Sequence, residues 1–294
     1  MPKLNDQPIT VSELNEYIDE HGDFSFELKT VSALTDAGIE CEHGGLYEDP
    51  VTKKSREFDI RAVIDSSPFR VFLPIECKNL RENYPLLVMS TPRREREAYH
   101  EILVRRDLKH NDPYGLSVNA FEAHAIEIRI QGKFSRYGEL LPVGKSLAQV
   151  GRTSNGALTS NDEQVFDRCS QALASAADLV ADAYSHLESA ENTATAIVPI
   201  LVVPDNRLWQ AEFDAVGGVS SHPRQVEHAT FYLGKHYSTN NLAGPGYTVS
   251  HLEIMTLSGL TTFAMNLQGE IQGESSIFSK EGFEAALKRM QNDD

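Results

Sequence analysis

The stretch that decides the fold is REFDIRAVIDSSPFRVFLPIECKNL, residues 56–80. Apolar side chains recur at every second position from Phe58 to Ile64, and this period of two is typical of a β-strand with one buried face. The SSP tripeptide predicts a turn, and residues 70–78 predict the returning strand of a hairpin. Pro74 lies within this second strand, where its missing N–H predicts a bulge or a late start to the strand.

Polar residues of this hairpin have a spacing that suits phosphodiester chemistry. Asp59 lies on the polar face of the first strand. Glu76 and Lys78 share one face of the second strand, and Cys77 points to the other, because side chains two apart on a strand point the same way. If the strands pair, both carboxylates converge, and together with the Cys77 carbonyl they offer the oxygen ligands that Mg²⁺ prefers. A lysine beside such an ion positions a water or stabilises charge on a phosphate.

Two helices and a strand are predicted before the hairpin. The first turn of a short helix over 10–20 carries a capping box. A second helix begins after Asp23 as N-cap and ends at Gly38. A strand over 39–43 follows. The predicted apolar stripe of the second helix is Phe24, Leu28, Val31 and Leu34.

After the hairpin, the firmest pattern is a long helix followed by a buried strand. Helical spacing of small and apolar residues predicts a helix over 162–189. ATAIVPILVV, residues 194–203, is a continuous apolar run typical of a strand buried on both faces. The other predicted elements are a charged helix over 91–110, a strand over 121–130, a Gly-rich loop over 131–160, strands over 208–270 and a terminal helix over 280–290.

REFDI…LPIECKNL resembles the D…ExK signature of the PD-(D/E)XK superfamily, which includes restriction endonuclease-like and repair nucleases. The signature's proline is replaced by Phe58. The resemblance implies an α/β fold with a restriction endonuclease-like αβββαβ core, a mixed sheet flanked by helices. That core corresponds to about 20–80 and 160–205. The predicted organisation is a single domain over 1–294, with an insertion over 80–160 after the third strand and a β-rich C-terminal extension over 206–294.

The resemblance also implies a function, that of a Mg²⁺-dependent endonuclease in which Mn²⁺ substitutes. Asp59 and Glu76 would hold the metal with the Cys77 carbonyl, and Lys78 would orient the nucleophile. Glu27 matches the helix glutamate that often completes the family's site, directly or through water. Glu27 also falls within the predicted apolar stripe, where a carboxylate is costly without a partner. Family analogy suggests duplex DNA as substrate and a prokaryotic restriction, defence or mobile-element setting.

Other interpretations of the same residues stay open. Glu76 and Lys78 are also consistent with a solvated strand face carrying a cross-strand ion pair, or with an unrelated metal site. Glu57 is interpreted as a rim charge rather than an extra ligand, and Gln171 as a capping or surface residue rather than a site glutamine. A nuclease-like module that binds nucleic acid or a protein without cutting is the alternative function, and an activating partner or ligand is a further one. His251 and Glu253, which share a strand face, are assigned a structural role.

The charge balance bears on DNA binding. The formal net charge is −16, which disfavours tight binding independent of sequence, because phosphate contacts need Lys and Arg. A salt-bridged surface is the default interpretation of the basic residues between 93 and 109. The candidate DNA contacts are Arg93, Arg94, Arg105, Arg106, Lys109, Lys145 and Arg152.

The remaining expectations concern assembly and location. Closed two-fold dimers are the commonest assembly and a double-strand cut generally needs two sites, so a homodimer is expected, joined through the extension after Asp205. Cys41, Cys77 and Cys169 are not spaced as a metal cluster and are expected to be reduced thiols. With no apolar signal segment and no apolar run long enough to span a bilayer, a cytoplasmic protein without membrane contact is predicted.

Overall fold

The computed structural model describes residues 6–20, 22–49, 52–66, 69–111, 117–129, 137–138, 140–161, 163–185, 193–237 and 246–272. Within them the chain forms a mixed α/β structure in which four helices flank one large sheet. The helices are α1 (Val11–Glu20), α2 (Phe24–Asp36), α3 (Glu163–Ser185) and α4 (Leu257–Gln272).

Fourteen strands are found in the described part of the chain, and both parallel and antiparallel pairs join them. They are β1 (Glu40–Glu48), β2 (Ser55–Ser66), β3 (Phe69–Cys77), β4 (Leu86–Pro92), β5 (Tyr99–Asn111), β6 (Ser117–Arg129), β7 (Pro142–Arg152), β8 (Leu158–Ser160), β9 (Thr193–Ile197), β10 (Ile200–Val203), β11 (Leu208–Phe213), β12 (Val219–Gln225), β13 (His228–Tyr237) and β14 (Tyr247–Thr256).

The predicted hairpin is confirmed as β2 and β3, which pair antiparallel, with β1 antiparallel on the outer side of β2. On its other side β3 pairs parallel with β9 as far as Phe72, and with β10 from Ile75 onward. The run predicted as one strand over 194–203 is thus two strands, divided where Pro199 cannot continue the ladder. Pro74 lies opposite that break, so its missing N–H interrupts no ladder, and neither a bulge nor a late start is needed.

The helices cover both faces of the sheet around β3. Alternate residues of β3 from Val71 to Cys77 join a core with α2 and α4. A second core lies on the other face, where Val165, Cys169 and Ala172 of α3 pack against β10, β11 and β14. The predicted helix over 162–189 and its apolar stripe are therefore confirmed in substance. Glu76, between Ile75 and Cys77, lies on the face that α3 covers.

The buried face of α2 differs from the predicted stripe. α2 buries Phe26, Thr30 and Leu34, whereas Phe24 is 63% and Leu28 is 46% exposed. Thr30 is tolerated inside because its hydroxyl donates to the Phe26 carbonyl at 2.9 Å, which satisfies the polar group within the helix. The pattern of strongly apolar residues missed this face because one of its positions is a threonine.

This correction predicts a difference between two leucines of the same helix. Leu34→Ala should lower the free energy of unfolding by about 2–5 kcal/mol, because it leaves a cavity in the core. Leu28→Ala, at an exposed position, should change it by about 0.5 kcal/mol or less. Urea denaturation of the two variants measures both values. Equal losses of unfolding free energy in the two variants would mean that Leu28 is buried too, as the apolar stripe predicted from the sequence requires.

Two predictions downstream of the hairpin are wrong. Residues 91–110, predicted as a charged helix, contain the end of β4, a short 3-10 turn over Glu95–Glu97, and most of β5. β5 pairs with β6 and β9, and it is buried on both faces near its middle, because Ile102 and Val104 join one core and Leu103 joins another. Residues 131–160, predicted as a loop, contain β7 and β8.

Several local predictions are confirmed. Thr10 and Glu13 form the capping box, with the Thr10 N–H donating to Glu13 Oε2 at 2.7 Å. Gly38 ends α2 with a φ of 75°, a conformation that glycine adopts without strain. The strands over 39–43 and 121–130 correspond to β1 and β6. The extension has strands β11 to β14, but the end of the range predicted as strands forms α4 instead, and the predicted helix over 280–290 lies outside the described residues.

No helix in the described ranges combines the length and apolar character that crossing a bilayer requires.

Candidate active site

The β2–β3 hairpin sets Asp59 and Glu76 opposite one another. Its antiparallel ladder extends to the pair Ile60 and Ile75, and the next step of the same register joins Asp59 to Glu76. Their side chains are buried, with Asp59 8% and Glu76 1% exposed. Asp59 Oδ2 accepts the Cys77 backbone N–H at 2.8 Å, so this carboxylate replaces the next bond of the ladder and fixes its own position.

Arg168 of α3 lies between the two carboxylates. Its Nη1 is 3.3 Å from Asp59 Oδ1 and 3.3 Å from Glu76 Oε2, so these oxygens are no farther apart than twice that distance. Gln171 Oε1 accepts from the same nitrogen at 3.2 Å. Like charges directly opposite on paired strands are destabilising, and the guanidinium supplies the opposing charge. The two carboxylates do converge, and the cation between them is a side chain.

Asp23 joins Lys78 to the same cluster. It precedes α2 as predicted, but its side chain makes no capping hydrogen bond. Instead its carboxylate accepts from Lys78 Nζ at 3.1 Å, from the Asn79 N–H at 2.8 Å and from Arg168 Nη2 at 2.9 Å. Lys78, the residue after β3, is therefore held in the ion network through Asp23, and Asp23 links both cations.

Burial and the neighbouring charge of Asp59 raise the pKa of Glu76 to about 9, although Arg168 acts to lower it. Burial also raises the pKa of Asp59, against the effects of the Cys77 N–H and of Arg168. Burial and the charge of Asp59 both favour the protonated form of Glu76, which could then donate a hydrogen bond to Asp59.

Glu27 of α2 is held by His43 of β1. Glu27 Oε2 and His43 Nε2 are 3.1 Å apart, and the Phe24 ring packs against the imidazole with ring centroids 5.6 Å apart. Burial raises the pKa of Glu27, and the charge of Asp59 raises it further. Glu27 is therefore coupled electrostatically to the carboxylate pair, while its hydrogen bond goes to His43. Its metal-supporting role stays a prediction.

The Cys77 side chain lies on the opposite face of the sheet, as strand alternation predicts. Its Sγ is 3.6 Å from Thr30 Oγ1, and burial raises the pKa of the thiol well above its usual value. A buried, protonated thiol packs as a small core residue. Only the main chain of Cys77 adjoins the carboxylates.

The donor set of this cluster suits a hard divalent cation. Carboxylate oxygens of Asp59 and Glu76 flank one point that already holds the positive charge of Arg168. Within the described residues, no three His, Cys, Asp or Glu side chains are grouped to hold a metal ion. A metal at this point would therefore take the place of the guanidinium and complete its coordination with main-chain oxygen and water.

Four of the seven basic candidates have described side chains. Arg93 is 2% exposed and donates to the Gly138 carbonyl at 3.1 Å, and a guanidinium buried in this way cannot reach a DNA backbone. That prediction is corrected. Lys145 pairs with Glu97 at 2.8 Å, whereas Arg94 and Arg152 are exposed.

The other three basic candidates lie on β5, where their side chains are outside the described part of the structure. They are Arg105, Arg106 and Lys109. Their assignment as DNA contacts stays a prediction.

Sequence patterns missed Arg168, His43 and the role of Asp23 in this cluster. For Arg168 a signal existed, because it lies three residues after Val165 and four before Ala172, on the apolar stripe of α3. A charged residue on a buried helix face needs a partner, as was argued for Glu27. The sequence around Asp23 predicts only a helix N-cap. Its partners Lys78 and Arg168 are distant in sequence, so no nearby residue indicates these contacts.

The structure distinguishes two of the open alternatives. Gln171 is partly buried, and its Oε1 accepts from Arg168 Nη1, so this glutamine lies beside the carboxylate pair. Glu57 is exposed, in agreement with a rim charge.

A second buried polar cluster lies on the sheet face that α4 covers. Glu253 Oε2 is 2.6 Å from His228 Nε2 and accepts from Thr230 Oγ1 at 3.0 Å. His251 stacks on Tyr137, with ring centroids 4.6 Å apart, and burial lowers the pKa of His251 well below its usual value. The ring stacking and hydrogen bonds support the structural role predicted for His251 and Glu253.

Comparison of the chain with protein-family models, with curated proteins and with solved structures finds no match.

Proposed function

We propose that this chain is a metal-dependent nuclease that hydrolyses phosphodiester bonds at the Asp59–Glu76 pair. The observation that carries the proposal is the convergence of two buried carboxylates, from paired strands, on a single cation position. Lys78, two residues after Glu76, belongs to the same ion network. A solvated strand face would leave these groups in water, whereas here both carboxylates are buried.

The chain's own residues have separate roles in this proposal. Asp59 and Glu76 hold the divalent cation, Mg²⁺ or its substitute Mn²⁺, with the Cys77 carbonyl as a third ligand. When bound, the metal polarises the phosphate and activates a water. Lys78 orients that nucleophile, and Asp23 positions the Lys78 ammonium through their 3.1 Å contact. Glu27, fixed by His43, supports the metal directly or through water.

The order of elements supports membership of the PD-(D/E)XK superfamily. α2, β1, β2 and β3 follow one another, and α3 then leads to β9 and β10, which lie parallel to β3. This is the order αβββαβ, with the last strand in two parts. The residues between β3 and α3 form the insertion, and those after β10 form the extension.

The proposed substrate is duplex DNA, cut by a homodimer in a prokaryotic restriction, defence or mobile-element system. Since the net charge is −16, the phosphates must be met by a local basic surface, for which Arg94 and Arg152 are exposed candidates. Weak binding in the absence of divalent cation is expected, because Arg168 and Lys78 are then paired with carboxylates of the site itself.

A second candidate function is supported by the contacts of Arg168 and Lys78. In the described structure the position of the metal holds a guanidinium, and Lys78 Nζ is paired with Asp23. If these ion pairs persist and exclude a metal, the chain is a module of the same fold that binds nucleic acid or a protein without cutting.

A cleavage assay distinguishes the two candidates. Supercoiled plasmid, linear duplex and single-stranded RNA are incubated with the full chain in Mg²⁺, in Mn²⁺ and in EDTA. The proposal expects cleavage of DNA with either metal and none in EDTA, and loss of that cleavage in Asp59→Asn, which excludes a contaminating nuclease. An intact plasmid in both metals, with Mn²⁺ shown to bind, would favour the module that binds without cutting.

A further inference from the structure

Arg168 makes two unequal sets of contacts. Its Nη1 faces four acceptor atoms at 3.2–3.4 Å, on Asp59, Glu76 and Gln171. Its Nη2 makes a single contact of 2.9 Å with Asp23 Oδ2. A guanidinium nitrogen with two hydrogens cannot serve four acceptors well, and charge-assisted hydrogen bonds are normally about 2.7–2.9 Å long. The half at the carboxylates is therefore loosely held, and the half at Asp23 is firmly held.

We propose that Arg168 is an exchangeable counter-ion that becomes the phosphate-binding group of the site. In the metal-free protein its Nη1 stands in for the metal between Asp59 and Glu76. A divalent cation that binds there displaces it, and the guanidinium, still tethered to Asp23, then binds the phosphodiester beside the metal. This inference rests on the proposed function, and it assigns to Arg168 both metal exchange and substrate binding.

Charge and geometry favour such an exchange. A divalent cation between Asp59 and Glu76 would lie where Arg168 Nη1 lies now, 3.3 Å from an oxygen of each, so a guanidinium left in place would repel it. The Arg168 side chain is 23% exposed, and its tether at Asp23 is also bound by Lys78. If the Arg168 guanidinium moves away from Asp59 and Glu76 but stays paired with Asp23, it remains beside the Lys78 ammonium. The two cations together suit a phosphate, which guanidinium groups bind through paired N–H donors.

The test is a Mn²⁺ titration in the absence of nucleic acid, followed by single-turnover cleavage of one duplex at saturating Mn²⁺. Arg168→Leu should bind Mn²⁺ more tightly, by about fivefold or more, the lower end of ordinary coupling between linked binding events. The same variant should cleave about 10²–10³-fold more slowly, because it lacks a preorganised donor to the reacting phosphate. A purely structural arginine would not give these opposite changes, since its loss would weaken both activities.

Arg61→Leu is the matched control. Arg61 also lies between β2 and α3, where it donates to Ser175 Oγ at 3.2 Å and pairs with Asp178 at 2.7 Å. Its side chain is more enclosed than that of Arg168, at 14% against 23% exposed, but its partners are not the carboxylate pair. Mn²⁺ affinity should be unchanged in this variant. If Arg168→Leu fails to fold, Arg168→Lys, which keeps the charge but cannot span both carboxylates and Asp23, should show the same changes on a smaller scale.

The outcomes separate this inference from the proposed function. If wild-type protein binds Mn²⁺ and cuts DNA but Arg168→Leu binds Mn²⁺ no better, the exchange is wrong and the nuclease stands. If only Arg168→Leu binds Mn²⁺, Arg168 does occupy the metal position. The wild-type chain is then the module that binds without cutting, and not an active nuclease. If neither protein binds Mn²⁺ while both unfold cooperatively, both proposals are wrong.

Discussion

Glu76→Gln should give a protein that is more stable than wild type and unable to cut DNA. Glu76 is 1% exposed and its pKa is raised to about 9, so the folded protein carries it as a neutral carboxylic acid. Glutamine has nearly the same shape, its amide can donate to Asp59 as the carboxyl group does, and its oxygen can accept from Arg168. The substitution therefore keeps the hydrogen bonds of the neutral acid but removes a metal ligand. Cleavage should fall by about 10²–10³-fold or more.

The stability gain has a defined pH dependence. Between the ordinary glutamate pKa of 4.5 and about 9, folded wild-type protein binds a proton that the unfolded chain has released. Its free energy of unfolding therefore falls as pH rises, by about 1.4 kcal/mol for each pH unit from this group. Below pH 4.5 the contribution is fully present, and through pH 9 it is lost. Glu76→Gln lacks this titration, so its advantage over wild type should grow with pH across that window.

Urea denaturation in EDTA across the same pH range measures this effect. Glu57→Gln is the matched control, because Glu57 lies on the same hairpin but is exposed, and it should follow wild type at every pH. A constant difference between Glu76→Gln and wild type would show that Glu76 is ionised in the folded protein. The carboxylate pair would then hold two negative charges against one guanidinium.

The hairpin and its carboxylates are predictable from the sequence because their information is local. Alternation of apolar residues from Phe58 to Ile64 fixes which side of β2 is buried, and the antiparallel register then sets Asp59 opposite Glu76. The opposite orientation of Cys77 follows from the same alternation. These features depend only on strand periodicity and on one short turn, which a single sequence displays.

The parts of the site that could not be predicted come from distant elements. Arg168 is 109 residues from Asp59, and nothing near either residue indicates that they meet. The charged segment over 91–110 was predicted wrongly for a related reason, since the pairing of β5 with β6 and β9 buries Ile102, Leu103 and Val104. Tertiary contacts there override local preference. The position of Arg168 within the apolar stripe of α3 is a local sign that a distant partner exists.

Lys78→Ala should abolish cleavage while leaving both the fold and the affinity for DNA nearly unchanged. Lys78 Nζ is 3.1 Å from Asp23 Oδ2, but that carboxylate also accepts from the Asn79 N–H at 2.8 Å and from Arg168 at 2.9 Å. It would thus remain paired in the variant. One lysine contributes little to the total phosphate contact, whereas at the reacting phosphate it acts on charge that develops only in the transition state. Loss of such an interaction typically costs about 10²–10³-fold in rate.

Single-turnover cleavage and equilibrium binding, measured on the same duplex, separate the two effects of this lysine. Lys29→Ala is the matched control, because Lys29 is exposed on α2 and its loss removes the same charge from the same part of the molecule. If Lys78→Ala loses affinity in proportion to rate, the ammonium acts as an ordinary phosphate contact. If it cuts at the wild-type rate, Lys78 has no part in the chemistry. The ion pair with Asp23 would then be its whole function, and the Glu76–Lys78 spacing would carry no argument for a nuclease.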